Sequence, residues 1–418
     1  MRRTEGGRWI PRLTLIAANG FAGLSWVTLL WLSATRAEPG SLQSLGWVHL
    51  VALGWLTLAS LSVLLHVIAA FLGVKWIGQD VARWALRVLV LAIAILVAGF
   101  LGGDASHVEG GALLVFACLG VYLVPTGLTI GRALRADFRE RMVARAFLIT
   151  LSMLLIVAVL GAAFGLALKG RMNAGVLVGY PQSHAVLGIA AWLSSLVFGV
   201  SARTMRAITG VASRAPFIHI ASSSLLLFGA LAFAVAAPAN LGWLAIAGIV
   251  LMSLGALTYA LDLFDILRRR RNPNPAPQLY VVMADLWLLV CIALGAGMAS
   301  GRSWGAALTF VALVGWLGQM VNGHIFHIGI RLMITSLRGD DDETRPWLVV
   351  NQPLALASWL LFQVAVGLGL VALVGPVDYV LMQIAALCGV TAWIVMVCAI
   401  VLAYQRLRSS DAPPIHAV

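Results

Sequence analysis

Polar residues punctuate this chain at intervals, leaving twelve long apolar runs joined by short polar segments. A hydrocarbon core about 30 Å thick needs about 20 apolar residues in helix, because every backbone polar group has to be bonded within the segment. Runs of that kind lie at approximately 13–34, 47–73, 84–101, 111–130, 147–168, 184–200, 217–237, 241–267, 279–299, 304–330, 354–374 and 379–404. The pattern predicts an all-α membrane protein of twelve transmembrane helices. No connecting segment is long enough to bury a core of its own, so residues 1–418 read as a single polytopic membrane domain.

Composition agrees. Hydrophobic residues make up 61% of the chain and charged ones 11%, less than half the usual share of a soluble domain, which excludes both a water-soluble fold and disorder. The net charge of +12 would suit nucleic acid only if it formed a basic face on a folded domain. It is instead confined to alternate loops. With the N-terminus inside, only Arg36, Lys169, Arg171 and Arg302 of the 28 Lys+Arg fall outside, and this bias predicts both termini in the cytoplasm of a bacterial inner membrane. Arg268, Arg269, Arg270 and Arg271 read as a stop-transfer anchor, and the acidic run 340–343 as a solvated loop. The four Cys have no spacing for zinc or a disulfide framework.

A short motif recurs in three even-numbered helices: Gly54-Trp55-Leu56, Ala191-Trp192-Leu193 and Gly315-Trp316-Leu317. The intervals suggest three pseudo-repeats of four helices, at approximately 13–130, 147–267 and 279–404. His66 and His327 each follow their Trp by eleven residues. Gly242-Trp243-Leu244 in the eighth helix is a chance occurrence on this reading.

Histidine inside a membrane is costly and is the commonest ligand for haem and metal ions. His49 and His184 are predicted at the outer ends of the second and sixth helices. His66, His219, His324 and His327 are predicted near the inner ends of the second, seventh and tenth. The seventeen residues from His49 to His66 span about 25 Å, so one helix can carry a ligand near each face. In a straight helix the two side chains stand about 100° apart in azimuth. His324 and His327, three residues apart, share a helix face. The layout suits haem sites at two depths, with His49 and His184 at the outer one and His66 with His324 or His327 at the inner. The competing reading is of interfacial imidazoles satisfied by carbonyls or headgroups. Asp285 is expected to pair with an inner Arg or His, with a proton carrier as the alternative, and Gln363 and Asn322 to hydrogen-bond between helices.

Together these features resemble subunit I of the haem-copper oxidases. Val48-His49-Leu50-Val51-Ala52-Leu53-Gly54-Trp55, Ser183-His184-Ala185-Val186-Leu187-Gly188 and Gly323-His324-Ile325-Phe326 are similar to its small bacterial relatives, the NnrS-like group associated with nitric oxide stress. The resemblance implies one or two b-type haems and makes His49 the match for an axial ligand. It also implies a limit. The oxidase copper site needs one His on the sixth helix and two on the seventh, whereas His184 and His219 are predicted roughly 20 Å or more apart. No Tyr accompanies His184, so copper and oxygen reduction are not expected. The expected function is haem-binding electron transfer or a nitric-oxide-related role, with quinol or respiratory-chain components as partners besides the lipid bilayer, and without nucleic acid. The alternatives are a secondary transporter, or a cofactor-free assembly or chaperone subunit of a respiratory complex.

Overall fold

The computed structural model describes residues 12–135, 138–214, 217–272, 275–339 and 344–409. The acidic run 340–343 and His416 lie outside the described residues. All regular structure among the described residues is helical, and twelve helices are long and apolar enough to cross a membrane. They are α1 (Arg12–Ala34), α2 (Leu42–Leu72), α3 (Gln79–Gly102), α4 (Ala105–Ala133), α5 (Phe138–Leu168), α6 (Tyr180–Ser201, with helix continuing to Thr209), α7 (Phe217–Ala239), α8 (Gly242–Arg268), α9 (Pro275–Ala299), α10 (Gly305–Arg338), α11 (Gln352–Val374) and α12 (Tyr379–Arg408). The chain is a multi-pass membrane protein.

Several helices outrun the apolar stretches that predict them. α2 begins at Leu42 because Ser41 accepts from the Ser44 N–H, and α4 at Ala105 because Asp104 accepts from Ser106 and His107. α10 runs on to Arg338. A helix ends where side chains or a turn satisfy its terminal backbone groups, whether or not apolarity has already stopped.

The Asp104 cap is pH-sensitive. The His107 imidazole, 2.6 Å away, and the backbone N–H groups hold its carboxyl below the usual range. A depressed folded-state value means the cap stabilises the helix start above the ordinary Asp range and is lost as pH falls through the depressed value. The protection of the Ser106 and His107 amides, measured against their intrinsic exchange rates, should therefore fall in acid, and should already be low and nearly independent of pH over that range in Asp104→Ala.

α3 packs along α4, α7 along α8 and α11 along α12, while α4 lies on α5, α8 on α9 and α12 on α1. Small residues set these crossings, because association within lipid rests on van der Waals fit rather than on release of water. At the α7–α8 crossing, Gly229 and Gly248 let backbones touch: a Cβ on Gly248 would stand 2.7 Å from the Gly229 carbonyl oxygen. The start of α1, the end of α10 and the end of α12 meet at one end, where Arg12 bonds Ser336 and Arg338 donates to the Leu407 carbonyl at 3.1 Å. This is called the basic end below.

α2, α6 and α10 make the middle of the molecule. Each is interrupted by an eight-residue π-helical segment, Leu50–Thr57, Leu187–Ser194 and Val311–Gly318, and the three segments touch one another. In each, the Trp is the sixth residue and is 1–2% exposed. The widened turn shifts each carbonyl's donor from the fourth residue on to the fifth, and in α6 the Ala190 carbonyl accepts both the Ser195 N–H and, at 3.1 Å, the Ser195 hydroxyl. The indoles tie neighbours together: Trp192 Nε1 donates to Thr57 at 3.1 Å, and Trp316 Nε1 to Ser194 at 3.0 Å. Both acceptors lie two residues beyond their own helix's Trp. The matching position on α10 is Gly318, and Trp55 Nε1 has no acceptor among the described residues.

Candidate functional site

The end opposite the basic one holds an imidazole pair. His49 is the last α-helical residue before the π segment of α2, and His184 lies in the first turns of α6. The start of α6 is pinned by Gly179, whose φ of 82° and 2.7 Å Cβ distance to the Ala237 carbonyl oxygen admit no side chain, and by Ser183, which donates to the Ala234 carbonyl at 2.7 Å. These anchors bring the rings of His49 and His184 to 6.2 Å between centroids, with planes 27° apart. Phe100 of α3 stacks on His49 at 4.9 Å, and Phe164 of α5 meets His184 edge-on at 5.5 Å. A Cβ on Gly161 would come within 3.4 Å of His184 Cε1, so a small residue on α5 leaves room for the ring.

Nδ1–H of His49 donates to the Leu45 carbonyl at 2.8 Å, which fixes the tautomer and leaves Nε2 as a free lone pair. The Val157 carbonyl lies beside the His184 ring, but Nδ1 closes no hydrogen bond. Metal–imidazole bonds of about 2 Å on either side of one ion put ring centres about 6 Å apart. The centroid spacing is that of two imidazoles on one metal ion. Lys169 and Arg171 at the same end, bonded to Ser106 and Glu109, are cations within the same loops.

The remaining predicted residues fall elsewhere. His66 is half-buried on the basic half of α2. The π segment between it and His49 inserts a residue without adding a turn, which moves the two from about 100° to about 160° apart, into different grooves. His324 donates from Nδ1 to the Met320 carbonyl at 2.7 Å, and its Nε2 meets the Thr204 hydroxyl of α6 at 3.0 Å. A fourth π segment, Ile325–Gly329, begins between His324 and His327 and widens the angle between them. His324 lines a cavity that His327 does not; His327 is 9% exposed and its Nδ1 has no hydrogen-bond partner among the described residues.

His219 lies far from His184, against α8. Its Nε2 is 3.0 Å from Asp262 Oδ2, close enough to pair in charge yet off-line for a hydrogen bond, and Ser213 donates to Asp262 Oδ1 at 2.7 Å. The Tyr259 ring stands over His219 at 6.1 Å and donates its hydroxyl to Ser201 at 2.8 Å. Among the described residues Asp285 Oδ1 has no hydrogen-bond partner and Asp285 makes no ion pair, whereas the carboxylate that meets an imidazole is Asp262. Asp262 has the same sequence signal, an acid inside an apolar run, and is the residue that sequence reading passed over. Gln363 does bridge helices, exchanging amide bonds with Gln319 and accepting from Trp287, whereas Asn322 Oδ1 has no partner.

The four Cys are free. Neither a protein-family model nor a curated protein matches this chain.

Proposed function

We propose that this chain is a haem-binding integral membrane protein related to haem-copper oxidase subunit I, built from three four-helix repeats, without the copper site, and serving electron transfer or a nitric-oxide-related role. The observation that carries it is the His49–His184 pair, 6.2 Å apart with His49 held in one tautomer by Leu45. Support for the repeats comes from the matched π segments of α2, α6 and α10 and from the two equivalent indole bonds, Trp192 to Thr57 and Trp316 to Ser194. On this reading the basic end faces the cytoplasm of a bacterial inner membrane and the His pair lies near the outer face.

When bound, haem supplies a one-electron carrier. The chain's own residues do the rest. His49 and His184 would hold the iron, the Leu45 carbonyl fixes the His49 tautomer, Phe100 and Phe164 pack against the two rings, and Lys169 and Arg171 would offer charge to the propionates. The second haem is assigned to the basic half, with His324, His327 and His66 as its candidate ligands. On this reading copper is not expected, since His184 is assigned to the outer pair and His219 lies against Asp262.

The test is an absorption spectrum of detergent-purified protein, air-oxidised and dithionite-reduced. A Soret band with a reduced low-spin spectrum is expected at one or two haems per chain. Colourless protein from haem-replete cells overturns the proposal.

One observation favours the runner-up, a secondary transporter. His219 and Asp262 form a buried carboxylate–imidazole pair, and a transporter coupled to protons would use such a pair. Proton-coupled uptake into vesicles by a colourless protein would establish it.

A further inference from the structure

A cavity of about 620 Å³ opens on the basic half between α1, α2, α6, α10 and α12, a volume within the common range for a pocket that holds one small molecule. Along α10 its wall runs from Met320 to Leu337, about 25 Å of helix. Half of a bilayer's hydrocarbon core is about 15 Å deep, so this shaft is long enough to enclose a whole acyl chain. Exposure falls along it. Arg12, Ile16, Val401 and Tyr404 form an exposed rim, whereas Ala18, Trp55, Leu196 and Met320 at the far end are buried.

The polar groups beyond the rim are committed within the protein. Asn19 Oδ1 accepts from Trp393 at 2.9 Å, and the Trp55 N–H is buried. His324 donates from Nδ1 to the Met320 carbonyl, and its Nε2 lone pair is met by the Thr204 hydroxyl, so this imidazole has none left for a metal. Of the candidate ligands for a second haem, that leaves His66 and His327.

The rim is different. Arg12 donates to the Ser336 hydroxyl, and a guanidinium has five N–H donors, of which this bond uses one. The Arg408 guanidinium stands 5.7 Å from the centre of the Tyr404 ring, so a second cation flanks the same rim, and no acidic side chain lines the cavity. The shaft between rim and floor is mostly aliphatic. Lipid tails are as apolar as leucine, so a hydrocarbon chain gains little by leaving the bilayer for such a shaft, and selection has to come from the head.

We infer that this cavity is a binding site for a long-chain carboxylate. The head takes charge-assisted hydrogen bonds from Arg12, with the hydroxyls of Ser336 and Tyr404 beside it, and the chain fills the shaft toward Met320. One shaft takes one chain, which selects a free carboxylate over a two-chain phospholipid. The inference stands apart from the haem reading and does not depend on it.

The experiment titrates purified full-length protein in phosphatidylcholine nanodiscs with oleate and, separately, with methyl oleate, which has the same chain and no charge. Binding is read by equilibrium partition against protein-free nanodiscs, in alkaline buffer that keeps oleate ionised. Saturable binding of one oleate per chain is expected, about ten- to a hundredfold tighter than methyl oleate. Arg12→Gln should erase that preference, and Val63→Trp, which fills the shaft, should abolish binding of both. Arg12 lies at the exposed rim, so its variant decides the matter even if Val63→Trp folds poorly. Absence of saturable oleate binding by the parent overturns the inference, as does methyl oleate binding equally well or a preference unchanged in Arg12→Gln. Displacement of oleate by an equal concentration of phosphatidylglycerol also overturns it and makes the cavity a phospholipid site. A haem that Val63→Trp expels from otherwise folded protein overturns it too, and gives the cavity to that haem.

Discussion

His49→Ala should lose one low-spin haem per chain, and His184→Ala should lose the same one. The two rings lie 6.2 Å apart on different helices, so neither has a second imidazole in reach to replace its partner. The loss is expected to be specific. His49 has one hydrogen bond, to Leu45 on its own helix, and a stacking contact with Phe100, so truncation removes about 1 kcal/mol of hydrogen bonding and about 0.5–1.5 kcal/mol of stacking and leaves α2 in place. Haem content by pyridine haemochrome, with a melting curve alongside, separates loss of the ligand from loss of the fold. His219→Ala is the control: that ring belongs to Asp262, and haem should remain. His49→Met should recover haem with a raised potential, since iron accepts a thioether opposite imidazole. Full haem content and unchanged reduced spectra in both alanine variants would make the pair structural.

The largest effect on folding is expected at the α7–α8 crossing. Gly248→Leu places a side chain where the Gly229 carbonyl oxygen is 2.7 Å and the Phe233 nitrogen 2.9 Å from the first carbon alone. Both obstacles are backbone, so no rotamer relieves the clash and the helices must part. Overpacking a fitted core costs about 1–3 kcal/mol even when side chains can yield, and here they cannot. Gly248→Leu should fail to accumulate in the membrane. Gly248→Ala should accumulate with a lower melting temperature, and the separation should loosen His219 from Asp262, since these two helices carry them. A Leu variant with parental yield and melting would show that the crossing tolerates separation.

The span count was legible because the bilayer imposes a length and a polarity on every crossing, and the twelve apolar runs obey both. Span ends were less so. Ser41, Asp104, Asn351 and Asp378 cap α2, α4, α11 and α12 through their own side chains, and a cap can lie several residues beyond the last apolar position. The tripeptides around Trp55, Trp192 and Trp316 were visible as a motif, yet nothing in a Gly-Trp-Leu string announces a π turn, whose extra residue is tolerated only where neighbouring helices fill the wider spiral. His49 and His184 could be assigned to the same end from their positions in the runs. Their approach to 6.2 Å depends on Gly179 and Ser183 fixing α6 against α7, contacts some fifty residues apart in sequence.

Sequence alone determined that this chain lives in a membrane, how often it crosses, and which imidazoles share a depth, because hydropathy and helical rise are local properties summed along one strand of chain. Only the tertiary structure decided which imidazoles meet. It gave His219 to Asp262 rather than to His184, left Asp285 Oδ1 without a donor, and opened a cavity beside Trp55. Those outcomes depend on azimuth, and azimuth in α2, α6 and α10 is reset by π turns whose stability comes from packing between helices rather than from the residues that form them.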